Sequence, residues 1–208
     1  MSGRWRRRSA RSCEQGTAGQ TGGVTTEKGE RRRQALTEAA GELLREGGFD
    51  AVRHRAVAER AGLPLASTTY YFDSLDELVT AAVELTSRQE LAAGRAELDA
   101  GTEADPLELV LDQLLGRDSR KGGLDAVLLR YEQLVGAGRR PYLAPLMRTL
   151  RAELDSLLTE ALARAGHPLD AGGLRRVIEV VDGAVLSALI EADPDPRATA
   201  RAALLRVL

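Results

Sequence analysis

The feature that most restricts the fold of this chain is a short segment bounded by two helix signals, within AERAGLPLASTTYYFDSLDELV at residues 58–79. Gly62 ends one helical pattern, and Pro64 favours the start of another, because the first helical turn does not use the N–H that proline lacks. Ser74 and Glu77 form a capping-box sequence, in which each residue satisfies a backbone N–H near the other. These signals leave room for a helix of only about eight residues between them.

Helical spacing of apolar residues continues on both sides of this segment. It predicts a first helix from Glu27 to Gly47-Gly48, a second at 55–61 and a fourth from Ser74 to about Asp99. Five further helices are predicted, near 106–116, 124–137, 141–165, 172–192 and 196–208. Since no long stretch alternates with period two, the expected fold class is all-α.

Charge is distributed unevenly along the 208 residues. Residues 1–72 contain 13 Lys and Arg against 8 Asp and Glu, whereas residues 73–208 contain 16 against 23. A basic N-terminal part on an acidic body is typical of a small nucleic-acid-binding module attached to a domain with another role. No apolar run is long enough for a membrane span, and the single cysteine, Cys13, favours a reducing compartment, so we expect a cytoplasmic protein without membrane contact.

The short third helix fits the second helix of a helix-turn-helix unit, which presents side chains to the DNA major groove. Ser67, Thr69 and Tyr71 all carry hydroxyl groups on this helix. Phe72 and Leu63 are expected to fill the small core of the unit. Phe49, Val57 and Leu43 are expected to complete that core.

Residues 27–79 resemble the DNA-binding domain of the TetR family of transcriptional regulators. The resemblance rests on ALTEAAGELLREGGFDAV, HRAVAERAGLPLASTTYYF and the following DSLDELV. It implies an N-terminal three-helix DNA-binding domain at 25–73, followed by a helical effector-binding and dimerisation domain at 74–208. The implied protein is a homodimeric regulator, which we expect to be a repressor, that binds a palindromic double-stranded operator and a small-molecule effector.

The same resemblance implies which residues contact DNA. They are Arg55 in the second helix, with Leu65, Ala66, Ser67, Thr69 and Tyr71 around the third. Two positions depart from the family pattern: Leu75 replaces a common phosphate-contacting lysine, and Arg53 replaces a common Ser or Thr cap. We expect Arg53 to supply the missing phosphate contact, while Tyr70 either contacts a phosphate or packs beside the fourth helix.

The body is expected to enclose the effector. Its candidate lining carries few charges, which favours a largely apolar ligand with a few polar groups. The alternative is that the same side chains form an ordinary dry core. The candidate residues are Leu111, Leu115, Leu128, Tyr131, Leu143, Met147, Val177 and Val180.

The last two predicted helices are expected to form the dimer. Residues 174–190 are apolar on nearly all sides, whereas a helix buried on one side needs a single apolar stripe. Gly183 would let a partner helix approach closely. The alternative is that both helices complete the core of their own chain. The predicted interface residues are Leu174, Val181, Gly183, Val185, Leu189, Leu204 and Leu208.

Residues 1–24 are predicted to be a disordered, arginine-rich tail, because they are polar and show no periodicity. Arg4-Trp5-Arg6-Arg7-Arg8 has three possible interpretations. It is a minor-groove arm, an inert tail, or a segment upstream of a native start near Val24.

Two other functional classes compete with the DNA-binding regulator. One is an all-α protein-interaction module that does not act on DNA, and the other is an enzyme that uses the body cavity. The sequence shows no nucleophile–base pairing and no glycine-rich phosphate loop, so we expect neither catalytic residues nor a cofactor. His54 and His167 lack the neighbouring ligands that a metal site needs.

Overall fold

The computed structural model describes residues 27–101 and 105–208, and within these ranges the chain forms helices and no strands. The all-α prediction is therefore confirmed. The predictions for the tail, including Trp5 and Cys13, lie outside the described residues. The helices of the described ranges are α1 Glu27–Ala51, α2 His54–Arg60, α3 Ala66–Tyr71, α4 Leu75–Asp99, α5 Pro106–Leu115, α6 Ser119–Gly138, α7 Ala144–Arg164, α8 Ala171–Ile190 and α9 Pro196–Val207. A 3₁₀ turn, Pro141–Leu143, precedes α7.

Two of these helices are interrupted where glycines were expected to end or begin a helix. In α1 the backbone leaves helical geometry at Gly47 and Gly48, where Gly48 has a φ of 67°. In α6 the break is at Gly123, with a φ of 55°. Both positive φ values lie in the left-handed region that glycine tolerates without a steric penalty.

Helices α1, α2 and α3 form a small N-terminal unit, here called the head. Its core contains Leu36 and Leu44 of α1, Val57 of α2 and Phe72, which is 1% exposed. This core does not end at the predicted domain boundary of residue 73. Four side chains of α4 also belong to it: Leu78, Val79, Ala82 and Val83.

Helices α5 to α9 and the C-terminal half of α4 form the second unit, here called the body. Its core is a continuous apolar cluster that runs from Leu98 at the end of α4 to Leu204 in α9. Leu158, Leu162 and Val181 are fully buried near its centre. Because α4 contributes to both cores, the head is attached to the body through a shared rigid helix.

Helix α4 approaches its neighbours closely at two small residues. A Cβ added to Gly41 of α1 would lie 2.9 Å from the Thr86 side chain of α4. A Cβ added to Gly94 of α4 would lie 2.5 Å from the Gln113 amide of α5 and 3.0 Å from Leu157 of α7. The first glycine fits α4 against the head, and the second fits it against the body.

Helix α8 directs its most continuous apolar stripe into the body. Leu174, Val181 and Val185 are at most 4% exposed, and Leu204 of α9 belongs to the same cluster. The prediction that these four residues form a dimer interface is wrong, because the core of the chain already covers them. For them the alternative, completion of their own core, is correct. The other predicted interface residues retain more accessible surface, and they are Gly183, Leu189 and Leu208.

Within the described ranges, no helix combines the length and the apolar character that crossing a bilayer requires.

Replacement of Phe72 by alanine is expected to destabilise the protein by about 3–5 kcal/mol, the range for deletion of a buried aromatic side chain. Urea unfolding followed by circular dichroism measures this change. Tyr70→Ala is the control, because the Tyr70 side chain is 80% exposed. Equal stability of the two variants would contradict the position of Phe72 in the core.

Candidate DNA-binding surface and ligand cavity

Helix α3 is positioned by a tight turn that follows α2. Gly62 has a φ of 64°, and the Leu63 N–H donates to the Ala58 carbonyl over 2.9 Å. The helix ends at Phe72, whose backbone is extended with a φ of −135°. These local constraints make α3 short and fix its orientation on the head.

The inner side of α3 is held by two buried side chains. Thr68 is fully buried, and its hydroxyl donates to the Leu65 carbonyl over 2.8 Å. Phe72 is the second, and the Arg33 guanidinium of α1 lies over the face of its ring, 4.6 Å from the ring centre. Sequence reasoning missed Arg33, because its contact with Phe72 depends on the packing of α1 against the start of α4.

The outer side of α3 carries most of the residues predicted to contact DNA. Leu65, Ala66 and Thr69 are exposed, whereas Ser67 and Tyr71 are half-buried. Tyr70 is 80% exposed and meets the Tyr71 ring edge-to-face at 4.8 Å between ring centres. Of the two possibilities for Tyr70, packing beside α4 does not occur in this structure.

Two arginines near α2 provide positive charge beside this surface. Arg55 is exposed and forms no ion pair within the described ranges. Arg53 is also exposed, and its Nε donates to the Asp50 carbonyl over 3.1 Å. Arg60 differs from both, because it pairs with Glu42 at 3.1 Å and with Glu46 at 2.7 Å. Leu75 is half-buried against the head core and offers no charge.

The start of α4 is capped largely as the sequence predicts. The Ser74 hydroxyl accepts from the Glu77 N–H at 3.1 Å. The Glu77 carboxylate accepts from the Asp73 N–H at 2.8 Å and not from Ser74 as the capping box predicted. The other oxygen of Glu77 lies 3.3 Å from Arg33, which ties α1 to the start of α4.

A cavity of about 340 Å³, here called the inner cavity, lies between helices α4 to α8. Its apolar lining comes from every one of these helices. The lining also includes two acidic and two basic side chains, Glu90, Asp182, Arg130 and Arg151. The apolar contributors are Leu91, Leu114, Leu134, Met147, Leu150, Leu154 and Ile178.

A second and wider depression of about 950 Å³, here called the outer groove, lies between the end of α1 and helices α6 and α8. Of the predicted effector-contacting residues, Met147 lines the inner cavity, and Leu128 and Tyr131 line the outer groove. The structure does not bring the others to either space. Leu111, Leu143 and Val177 lie in closed core, Val180 is on the exposed side of α8, and Leu115 borders a separate pocket.

A tyrosine–aspartate pair connects α6 and α8 between the two spaces. The Tyr131 hydroxyl donates to Asp182 Oδ1 over 2.8 Å. Burial raises the pKa of Tyr131, and the nearby Asp182 carboxylate raises it further, so the phenol stays protonated. No pattern in the sequence indicates this pair, because the two residues are distant in the chain and neither belongs to a motif.

Helix α6 also contacts the head directly. The Gln133 side chain donates to the Leu44 carbonyl over 2.7 Å. A Cβ added to Gly136 would lie 2.9 Å from the Phe49 ring. Just after the helix, the Arg140 guanidinium lies 3.9 Å from the centre of the same ring. Phe49 therefore packs at the junction of head and body.

Sequence comparison identifies both parts of the chain. A family described as "Bacterial regulatory proteins, tetR family" matches residues 36–82. A second, described as "Tetracyclin repressor-like, C-terminal domain", matches residues 99–208.

Characterised relatives agree with these matches. The nicotine-responsive transcriptional repressor HdnoR of Paenarthrobacter nicotinovorans is 28% identical over 172 residues, covering 80% of this chain and 87% of HdnoR. The transcriptional regulator PksA of Bacillus subtilis is 35% identical over 86 residues, and that match spans only 41% of this chain and 41% of PksA.

The fold is also similar to that of solved structures. The multidrug binding protein EbrR in complex with proflavin superposes with a TM-score of 0.58 at 32% identity, covering 85% of this chain and 99% of EbrR. Its complex with imidazole superposes with a TM-score of 0.59 at 32% identity, covering 85% and 94% of the two chains. Together with the family matches over head and body, these similarities show that the chain belongs to the TetR family of non-enzymatic, DNA-binding transcriptional regulators.

Proposed function

We propose that this protein is a cytoplasmic, homodimeric repressor that binds a palindromic operator and releases it when a small, largely apolar molecule occupies the inner cavity. The observation that carries the proposal is the outer side of α3. Helix α3 presents the exposed Thr69 hydroxyl on this side, while Thr68 and Phe72 hold the helix on its inner side. Helix α2 adds the exposed Arg55 guanidinium, which forms no ion pair with the described residues. In this proposal the DNA-binding domain spans residues 25–73, and the effector-binding and dimerisation domain begins at Ser74.

This proposal assigns two kinds of DNA contact, to phosphates and to base edges. Arg53 and Arg55 neutralise phosphates, which supplies affinity without sequence preference. Ser67, Thr69 and Tyr71 meet base edges or nearby phosphates through their hydroxyl groups. Tyr70, with 80% of its surface exposed, adds a phosphate contact at the edge of the same surface.

The exposed side of α8 supports the homodimer. Val180, Leu186 and Ile190 are 43%, 53% and 77% exposed, and Leu205 of α9 is 49% exposed. Gly183 lies among them, and a Cβ added there would meet no described atom of its own chain within 4 Å. A partner helix explains both features, because it would cover the apolar side chains and approach closely at the glycine.

Pairing α8 and α9 with their two-fold mates would form a four-helix bundle with an isologous interface. Such a dimer carries two heads, and a palindromic operator requires them about 34–36 Å apart, one turn of DNA, or somewhat farther.

Effector release requires that a ligand favour one arrangement of the heads over another. Two elements connect the inner cavity with the head. Helix α4 lines the cavity with Leu91 and reaches the head core with Val83. Helix α6 lines it with Arg130 and Leu134 and contacts the head through Gln133. The complexes of EbrR with proflavin and imidazole, and the description of HdnoR as nicotine-responsive, support a small-molecule effector here.

The proposed operator binding is tested with duplexes selected from a random-sequence library and measured by fluorescence anisotropy at several salt concentrations. Neutralisation of phosphates by arginine gives a linear fall of log affinity with log salt, with a slope of about −0.9 for each phosphate contacted. Selection of no duplex, or affinity independent of salt, would favour the competing hypothesis of an all-α protein-interaction module.

Single substitutions separate the two kinds of DNA contact. Thr69→Ala is expected to weaken operator binding by about 1–3 kcal/mol, the range for a good base contact. Arg55→Gln is expected to reduce the salt slope by about one, since it removes one phosphate contact. Anisotropy titrations measure both effects, and Glu59→Gln, an exposed change on α2, is the charge control. Wild-type binding by both variants would refute the assignment of this surface.

Ile190→Glu is expected to convert the dimer into a folded monomer with much weaker operator binding, because it places a charge on the exposed apolar side of α8. Light scattering should give about the 22.4 kDa mass of one chain for this variant and about twice that mass for the wild type. Ala93→Glu, an exposed change on α4, is the control. A wild-type monomer that binds a palindrome tightly would contradict the model.

A further inference from the structure

We propose that the effector of the inner cavity is a small apolar cation whose positive charge pairs with Asp182. This inference rests on the proposed function, since it specifies the chemical class of the molecule that occupies the inner cavity.

Most of the charges at the inner cavity already have a partner. Arg130 pairs with Glu90 at 3.1 Å, and Arg151 pairs with Asp155 at 2.6 Å. Asp182 forms no ion pair with any residue in the described parts of the chain. Of the two carboxylates in this lining, Asp182 is therefore the one that no described arginine pairs with.

The single hydrogen bond that Asp182 accepts from described residues leaves this charge in place. Tyr131 donates to Oδ1 over 2.8 Å, and its pKa is raised by burial, so the phenol remains a neutral donor. Tyr131 therefore orients the carboxylate, and no side chain of the described residues donates to Oδ2. A half-buried carboxylate without a cation is costly, and a positively charged ligand group would reduce that cost.

The apolar lining of the inner cavity determines the uncharged part of the ligand. Leu91, Leu114, Leu150, Leu154 and Ile178 form an apolar wall around a space of about 340 Å³. A hydrated metal ion gains nothing from this wall, whereas an amine with an aromatic or aliphatic body buries apolar surface against it. An anion of the same shape would be repelled by Asp182.

An unsatisfied donor is a second and independent sign of a missing ligand. The Nε of Arg130 is buried and finds no hydrogen-bond partner among the described residues, although the guanidinium pairs with Glu90 through another nitrogen. Buried donors are rarely left without an acceptor. A ligand that carries an ether or ring acceptor in addition to its cationic group would satisfy this nitrogen.

Three probes of nearly the same shape test the inference by calorimetric titration of the full chain. They are para-methoxyphenethylamine, which is cationic at neutral pH, the neutral para-methoxyphenethyl alcohol and the anionic para-methoxyphenylacetate. We expect the amine to bind roughly tenfold or more tightly than the alcohol, because a charge-assisted hydrogen bond to a carboxylate exceeds a neutral one. The anion should bind most weakly.

Asp182→Asn is expected to abolish the preference for the amine while leaving the affinity for the alcohol within about twofold, since the amide keeps the size of the side chain and an acceptor for Tyr131. Glu132→Gln is the matched control. It removes a carboxylate next to Tyr131 that lines the outer groove and not the inner cavity, so the preference should persist.

Three outcomes would each overturn the inference. The alcohol binds as well as the amine, the amine does not bind, or Asp182→Asn keeps the preference for the amine. The ranking of the three probes on the wild type needs no variant and holds even if Asp182→Asn fails to fold. Failure of this inference can be distinguished from failure of the proposed function. If neutral compounds release the operator and cations do not, the repressor proposal stands and this inference falls. If no duplex binds, the repressor proposal falls while the titration still tests Asp182.

Discussion

The structure depends on helix α4, which belongs to two hydrophobic cores at once. Its first half supplies Leu78 and Val83 to the head, and its end supplies Leu98 to the body. Close approaches at Gly41 and Gly94 fit the helix against α1 on one side and against α5 and α7 on the other. Because close-packed interiors transmit strain, this shared helix is the route by which a change in the packing of the body would reach the head.

Helix α6 provides a second connection with a different character. It reaches the head through a hydrogen bond from Gln133 to Leu44 and through Ala137, which belongs to the head core. Just after the helix, the Arg140 guanidinium lies over the Phe49 ring. The same helix carries Tyr131, which is bonded to Asp182 on α8 beside the inner cavity. A ligand next to Asp182 would therefore act on α6 close to the point where α6 meets the head. Under the proposed function, this would be a short physical route from the effector to the head.

The sequence predicted the features that depend on local signals and left those that depend on packing undetermined. Gly62, Pro64 and Ser74 bounded α3 correctly, because turns and caps are formed by neighbouring residues. The inward side of α8 was assigned incorrectly, since a helix that is apolar nearly all round does not show by periodicity which stripe its own core will cover. The pairs Tyr131–Asp182 and Gln133–Leu44 bring together residues distant in the chain, and no pattern in the sequence indicates them.

Occupation of the inner cavity and binding of the operator oppose each other in the proposed function. The most direct measurement takes the small apolar compound that most raises the melting temperature in a screen, and compares its affinity for the free protein and for the protein saturated with operator. Linkage requires the same factor in both directions, and coupling of this kind is typically about 5–150-fold. We expect the compound to bind the operator complex more weakly by such a factor, and equal affinities would contradict the proposed opposition.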